Sequence, residues 1–100
     1  VYTSGDVKSQ VSIQSVSKAF VLSLVLEESG YGTIREKVGV NATGLPFNSI
    51  IAMEINKDSE INSMVNAGAI ATTSLVNGAT AMAKWENIVQ KLSDFAGRKL

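Results

Sequence analysis

Ser15 and Lys18 are the residues of this sequence whose types and spacing could carry out covalent chemistry. A serine hydroxyl becomes a nucleophile when a neighbouring base takes its proton, and a neutral lysine amine can be that base. Side chains three residues apart project from one face of a helix. At the start of a buried helix, desolvation and the helix dipole would both favour the neutral amine. Free N–H groups there, including that of Ser15, could stabilise an oxyanion.

The same pair also has a purely structural interpretation. With 12 serines and 7 lysines in 100 residues, about 0.8 matches to Ser-x-x-Lys are expected by chance, so the pattern has meaning only in context. Ser15 would then cap a helix, and Lys18 would extend its amine to solvent. The motif alone favours this structural interpretation, so the choice between the catalytic and the structural role depends on the surrounding sequence.

An apolar helix must position the pair. Between Val16 and Leu26, eight of eleven residues are apolar and occupy every helical face, which predicts a buried helix running to about Ser29 and stopping at Gly30. A lysine at the start of a buried helix is costly unless something requires it there. This context favours the catalytic interpretation of Lys18.

The residues before Ser15 predict a β-hairpin. Residues 1–3 are typical of the end of a strand, and Ser4-Gly5-Asp6 of a tight turn. Val7, Val11 and Ile13 then alternate with polar residues, which is the pattern of a half-buried strand. We therefore expect an α/β (α+β) fold, in which a hairpin delivers the chain to the nucleophile helix.

The middle of the chain is less regular. Thr33-Ile34-Arg35-Glu36 has capping-box spacing and predicts a short helix closed by Gly39. Residues 41–48 form a turn-rich connection, residues 50–55 are apolar but too short to assign, and residues 57–62 predict a polar loop.

Two further helices are predicted in the last third. Asn66 is a good N-cap for a helix that ends near Asn77-Gly78. A final helix, closed by Gly97, has an apolar stripe that predicts core packing. The stripe consists of Met82, Trp85, Val89, Leu92 and Ala96.

Composition excludes several classes of function. One hundred residues make one small domain at most, and nine basic against nine acidic residues, scattered along the chain, predict neither a nucleic-acid nor a membrane partner. The absence of cysteine excludes a thiol nucleophile and fits a reducing compartment such as the cytoplasm. The absence of histidine excludes a Ser-His-Asp triad and a histidine metal site within this chain. Lysine is then the natural base for a serine.

Three stretches carry a resemblance to a known family. They are Ile13-Gln14-Ser15-Val16-Ser17-Lys18, then Gly44-Leu45-Pro46-Phe47-Asn48-Ser49, then Val65-Asn66-Ala67-Gly68-Ala69-Ile70 with Thr73-Ser74-Leu75 behind. In these motifs, their order and their separation, the chain resembles the serine-dependent glutaminases. The resemblance covers nearly the whole sequence and weakens in the last helix.

The resemblance implies a β-lactamase/transpeptidase-like fold and hydrolysis of L-glutamine to L-glutamate and ammonia through an acyl-serine. Ser15 matches the family's nucleophile, which also contacts the substrate, and Lys18 matches its proton-transfer partner. Asn66 matches an asparagine that holds the amino-acid end of the substrate, whereas Gly68 is assigned to packing and Asn48 to turn structure. The resemblance implies no cofactor or metal, and it implies a homo-oligomeric parent protein.

The chain also departs from the family pattern. Val11 stands where an aromatic residue is usual, and the chain is much shorter than the family's catalytic domain. A tyrosine before the first strand, later pocket residues and a Lys-Ser-Gly-like strand have no counterpart here. We therefore expect residues 1–100 to form a single partial catalytic domain that does not turn over glutamine alone.

Two other interpretations remain open from the sequence. A penicillin-binding or β-lactamase-type acyltransferase shares Ser-x-x-Lys, but its Ser-Asp-Asn-like and Lys-Thr-Gly motifs are absent here. A non-catalytic interaction module would instead present Met82 and Trp85 to a partner. Exposure of the stripe on the last helix would favour that module.

Overall fold

A long helix, α1 (Ser17–Lys37), packs against two later helices, α2 (Asn66–Ser74) and α3 (Ala81–Ala96). A 3-10 turn, Gln14–Val16, leads directly into α1. The computed structural model describes residues 2–42, 44, 46 and 61–100. Half of the predicted turn-rich connection, the apolar segment 50–55 and the part of the polar loop before position 61 lie outside these residues.

The α/β (α+β) prediction is wrong for the described residues, which form helices and contain no strand. Where the hairpin was expected, Asp6 and Ser9 form a local turn through a 2.8 Å side-chain bond, and the Val7 N–H donates to the Gly5 carbonyl. Such local bonds compete with a strand ladder. Val11 is 88% exposed, so the alternating residues have no core here against which to form a half-buried strand.

Gly30 breaks α1, as its sequence position predicts. Its φ of 78° and ψ of 167° separate two helical segments, which follow each other without a loop. The second segment confirms the predicted short helix around Ile34, but its predicted start at Thr33 is wrong. Thr33 is already within the helix, and its hydroxyl donates back to the Ser29 carbonyl at 2.8 Å. Gly39, at a φ of 98°, follows the end of the helix as expected.

The core lies on one side of α1. Its buried apolar residues in the described parts of the chain are Leu24, Val25, Ile34, Val38, Ile61, Val76 and Ile88. Val16 and Leu26 remain exposed, so the prediction of a helix buried on every face is confirmed only on the side that α2 and α3 cover. None of the described helices combines the length and apolar composition needed to cross a bilayer.

The last helix presents a different face to the core than the stripe predicted. Ile88 is its buried apolar residue, whereas Met82 is 64% and Trp85 is 59% exposed. The prediction that this stripe is core is therefore wrong for these two residues and for the exposed Ala96, whereas Leu92 packs against the core. The predicted end of the helix at Gly97 is confirmed, with a φ of 65° at this residue. Thr80 caps the start of the helix, where its side chain accepts from the Ala83 N–H.

Polar side chains connect α1 to α3 and to the turn that precedes α3. Glu28 accepts from the Asn77 backbone N–H at 2.9 Å and from Asn87 Nδ2 at 2.7 Å. One turn further along α3, Lys91 forms an ion pair with Glu27. These contacts fix α3 against the middle of α1.

Gly68 places α2 against the loop before it. A Cβ at this position would lie 1.9 Å from the Asn62 carbonyl oxygen, so the packing role assigned to Gly68 is confirmed. We expect Gly68→Ala to lower the free energy of unfolding by about 1–3 kcal/mol, because the backbone must move to relieve the clash.

Gly32→Ala is the matched control for this prediction. Gly32 lies within α1, and no described atom from beyond its own helix turns comes within 4 Å of the position that a Cβ would take. Alanine there should stabilise the chain by roughly 0.5–1 kcal/mol. Urea unfolding of the two variants and the wild type measures both effects. Equal stability of Gly68→Ala and wild type would contradict the close approach of α2 to Asn62.

Candidate active site

A pocket of about 540 Å³ lies between the start of α1 and the start of α2. Ser15, Lys18 and Asn66, the three site residues predicted from the sequence, all line it. The full lining consists of Gln14, Ser15, Ser17, Lys18, Val21, Asn66, Ala69, Ile70, Thr72 and Thr73. The fold therefore brings together residues that are separated by almost half of the chain.

Ser15 lies in the 3-10 turn and is exposed to the pocket. Gln14, directly before it, has a φ of 41°, which is rare for a residue with a side chain and often occurs at functional sites. The Ser17 hydroxyl donates to the Gln14 carbonyl at 2.6 Å and braces this turn. Ser17 and Gln14, to which the sequence assigned no chemical role, thus shape the backbone around Ser15.

Lys18 is half-buried and reaches across to the segment before α2. Its Nζ donates to Asn66 Oδ1 at 2.6 Å and to the Met64 carbonyl at 3.1 Å. Two partners therefore hold the amine at the pocket wall, and it does not extend freely into solvent.

Both partners of the Lys18 amine are neutral, and no carboxylate of the described residues forms an ion pair with it. A neutral amine has two N–H donors and one lone pair. The Met64 and Asn66 oxygens can take both donors, which leaves the lone pair free to accept a proton. The arrangement is therefore compatible with lysine acting as a base.

Asn66 is the first residue of α2, and the N-cap position belongs to Val65. Its side chain makes no capping bond, so the prediction that Asn66 is the N-cap is wrong. Asn66 Oδ1 accepts from the Lys18 amine, which leaves Nδ2 as a donor for another group. The helix start beside it also favours an anionic ligand.

Sequence reasoning missed the rest of the pocket wall. Ala69, Ile70 and Thr73 lie three, four and seven residues after Asn66, which is the spacing of one helical face. Extending that spacing from Asn66 could have found them. The Met64 carbonyl had no such signal, because every residue has a backbone carbonyl.

Comparison with known proteins assigns the family. The model of the glutaminase family matches residues 1–100, and the chain therefore belongs to the glutaminase family. The chain is 53% identical over 100 residues to a glutaminase of Colwellia psychrerythraea and 52% identical over 99 residues to one of Brucella canis. This membership agrees with the resemblance seen in the sequence and decides against a penicillin-binding or β-lactamase-type protein.

The chain spans about a third of the length of these relatives. It covers 32% of the Colwellia protein and 31% of the Brucella protein, while 100% and 99% of the chain are matched. Among solved structures, a probable glutaminase of Bacillus subtilis superposes with a TM-score of 0.87 at 33% identity, over 95% of this chain and 31% of that one. The helical arrangement around the pocket is thus similar to the corresponding third of that structure.

Proposed function

We propose that this chain supplies the nucleophile and proton-transfer residues of a glutaminase that hydrolyses the side-chain amide of L-glutamine. The observation that carries the proposal is the Lys18 amine, held by two neutral oxygens in the pocket that Ser15 lines. The names of the relatives support glutamine as the substrate.

In the proposed reaction, Lys18 Nζ takes the proton of Ser15 Oγ while this oxygen attacks the amide carbon of the substrate. The C–N bond then breaks, and the proton passes from Lys18 to the leaving nitrogen, so that ammonia departs. Water adds to the acyl-serine, Ser15 regains a proton, and L-glutamate is released. The Ser15 backbone N–H has no acceptor among the described residues and is a candidate donor to the oxyanion.

Asn66 is proposed to hold the amino-acid end of the substrate. Its Nδ2 can donate to the α-carboxylate, and the positive end of α2 favours the same charge. The carboxylate and the reacting amide would then lie at opposite ends of one substrate, between Asn66 and Ser15. This arrangement uses all three predicted site residues in a single pocket.

One observation also favours an additional interaction surface. Met82 and Trp85 are exposed, as the interaction-module hypothesis required, although Val89 and Leu92 on the same stripe are half-buried. Neither residue lines the Ser15 pocket, although Trp85 lines a neighbouring pocket that shares Ile70 and Thr73 with it. Homo-oligomeric assembly and a cytoplasmic location stay predictions from the sequence.

Asn66→Asp tests the substrate-binding role. The change is made in a chimera in which residues 1–100 replace the matching segment of the Colwellia glutaminase. Folding should be preserved, because an acidic residue suits the first turn of a helix. The aspartate would lose the Nδ2 donor and repel a substrate carboxylate. We expect kcat/KM for glutamine to fall about a hundredfold.

Asn41→Asp in the same chimera controls for added negative charge, because Asn41 is exposed and lies outside the pocket lining. Thermal stability and ammonia release are measured on the same preparations. If Asn66→Asp matches the control in both measurements, Asn66 has no role in substrate binding.

A further inference from the structure

A pair of buried hydroxyls connects α2 to the loop that holds Lys18. Thr72 is 1% exposed and Ser63 is 5% exposed, and their side-chain oxygens lie 2.8 Å apart. Thr72 Oγ1 also lies 2.8 Å from the Gly68 carbonyl. Since that carbonyl can only accept, Thr72 donates to it and takes its other bond from the Ser63 hydroxyl. Both hydroxyls are thereby satisfied without water.

Ser63 is directly followed by Met64, whose carbonyl accepts from Lys18. The Met64 side chain is exposed and does not anchor the loop. Asn62 supports the loop from the other side, because its Oδ1 accepts from the Met64 N–H at 2.9 Å and its carbonyl accepts from the Val65 N–H at 3.3 Å. Ser63, held by Thr72, is therefore the buried residue directly before Met64 in this loop.

We propose that Thr72 is a positioning residue for catalysis, which acts through Ser63 to fix the Met64 carbonyl and, with it, the Lys18 amine. The proposal rests on the proposed function, in which Lys18 transfers the proton of Ser15. A displacement of about 1 Å in a catalytic group can cost roughly a hundredfold in rate. Thr72 lines the Ser15 pocket, but it is 1% exposed and its hydroxyl is engaged by Ser63 and the Gly68 carbonyl. Loss of this anchor should therefore lower the rate without removing a hydroxyl that is free to contact the substrate.

The test replaces Thr72 with valine, which keeps the shape and removes the hydroxyl, in the chimera with the Colwellia glutaminase. We expect kcat to fall about tenfold or more with KM within about twofold, because proton transfer is misaligned while substrate binding is retained. Thr72→Ser keeps the hydroxyl and should restore most of kcat. Thr33→Val, which loses an equivalent bond to a helix carbonyl on α1, should leave kcat unchanged.

A second measurement uses the 100-residue chain and does not depend on activity. Hydrogen exchange at the Val65 N–H, which donates within the loop, should accelerate in Thr72→Val relative to the Val76 N–H, which lies beyond α2. Ser63→Ala removes the same bond from the loop side and should have the same effect even if Thr72→Val folds poorly.

The two measurements distinguish the possible failures. Unchanged kcat in Thr72→Val, in an active chimera, overturns the positioning role, and so does unchanged Val65 exchange in both variants. Full activity of Ser15→Ala would instead overturn the proposed function, while the exchange experiment would still decide whether Thr72 orders the loop.

Discussion

Replacing Ser15 with alanine in the chimera is expected to lower ammonia release from glutamine by roughly three orders of magnitude or more, as removal of a covalent nucleophile does elsewhere. The physical reason is that alanine has no oxygen to form the acyl intermediate, whereas the pocket and the Lys18 contacts do not depend on the hydroxyl. Ser15 is exposed in a short turn, so its loss should leave the free energy of unfolding almost unchanged.

Ser12→Ala is the matched control for this variant. Ser12 is also exposed and lies three residues earlier, outside the pocket lining. It should retain the activity and the stability of the unmodified chimera. Comparable ammonia release by Ser15→Ala and Ser12→Ala would mean that another group carries out the reaction.

Lys18→Arg is expected to lower kcat by about two orders of magnitude or more, which is the typical contribution of a general base. Arginine remains protonated and has no lone pair to accept the proton of Ser15, although it keeps the positive charge and long side chain of a protonated lysine. KM should change less than kcat, because Lys18 is bound to protein oxygens and Asn66 is the proposed substrate ligand.

Lys84→Arg provides the control for Lys18→Arg. The Lys84 amine also donates to a backbone carbonyl, that of Ser74, but it lies outside the Ser15 pocket. Steady-state kinetics of both chimeras should show a loss of kcat at position 18 alone. Near-normal kcat in Lys18→Arg would show that Lys18 has a structural role, and a different base would then be needed.

The candidate site could be predicted from the sequence to the extent that local spacing determines it. Ser15 and Lys18 are neighbours along the chain, and Asn66 begins a helix with a recognisable face. The contact between Lys18 and the Met64 carbonyl depends on how α1 and α2 pack, and no residue type in the sequence indicates such a contact. The buried Thr72–Ser63 pair depends on packing in the same way.

The fold shows the same division between local and long-range determinants. Gly30 and Gly97 adopt positive φ angles where the sequence placed helix ends. The alternation at Val7 and Val11 suits a strand, but a strand also needs a paired neighbour and a surface to cover, which the described residues do not provide. On α3, Trp85 and Ile88 are both apolar, and only packing against α1 decides which of them is buried.

The most direct test of the central claim is to identify the residue that carries the acyl group during turnover. The chimera is mixed with glutamine, quenched in acid within one turnover and digested, and the peptides are analysed by mass spectrometry. We predict a γ-glutamyl group on the Ser15 side chain, and none on any peptide of Ser15→Ala. A γ-glutamyl group on a different residue, or ammonia release without any acylated peptide, would contradict the assignment of Ser15 as the nucleophile.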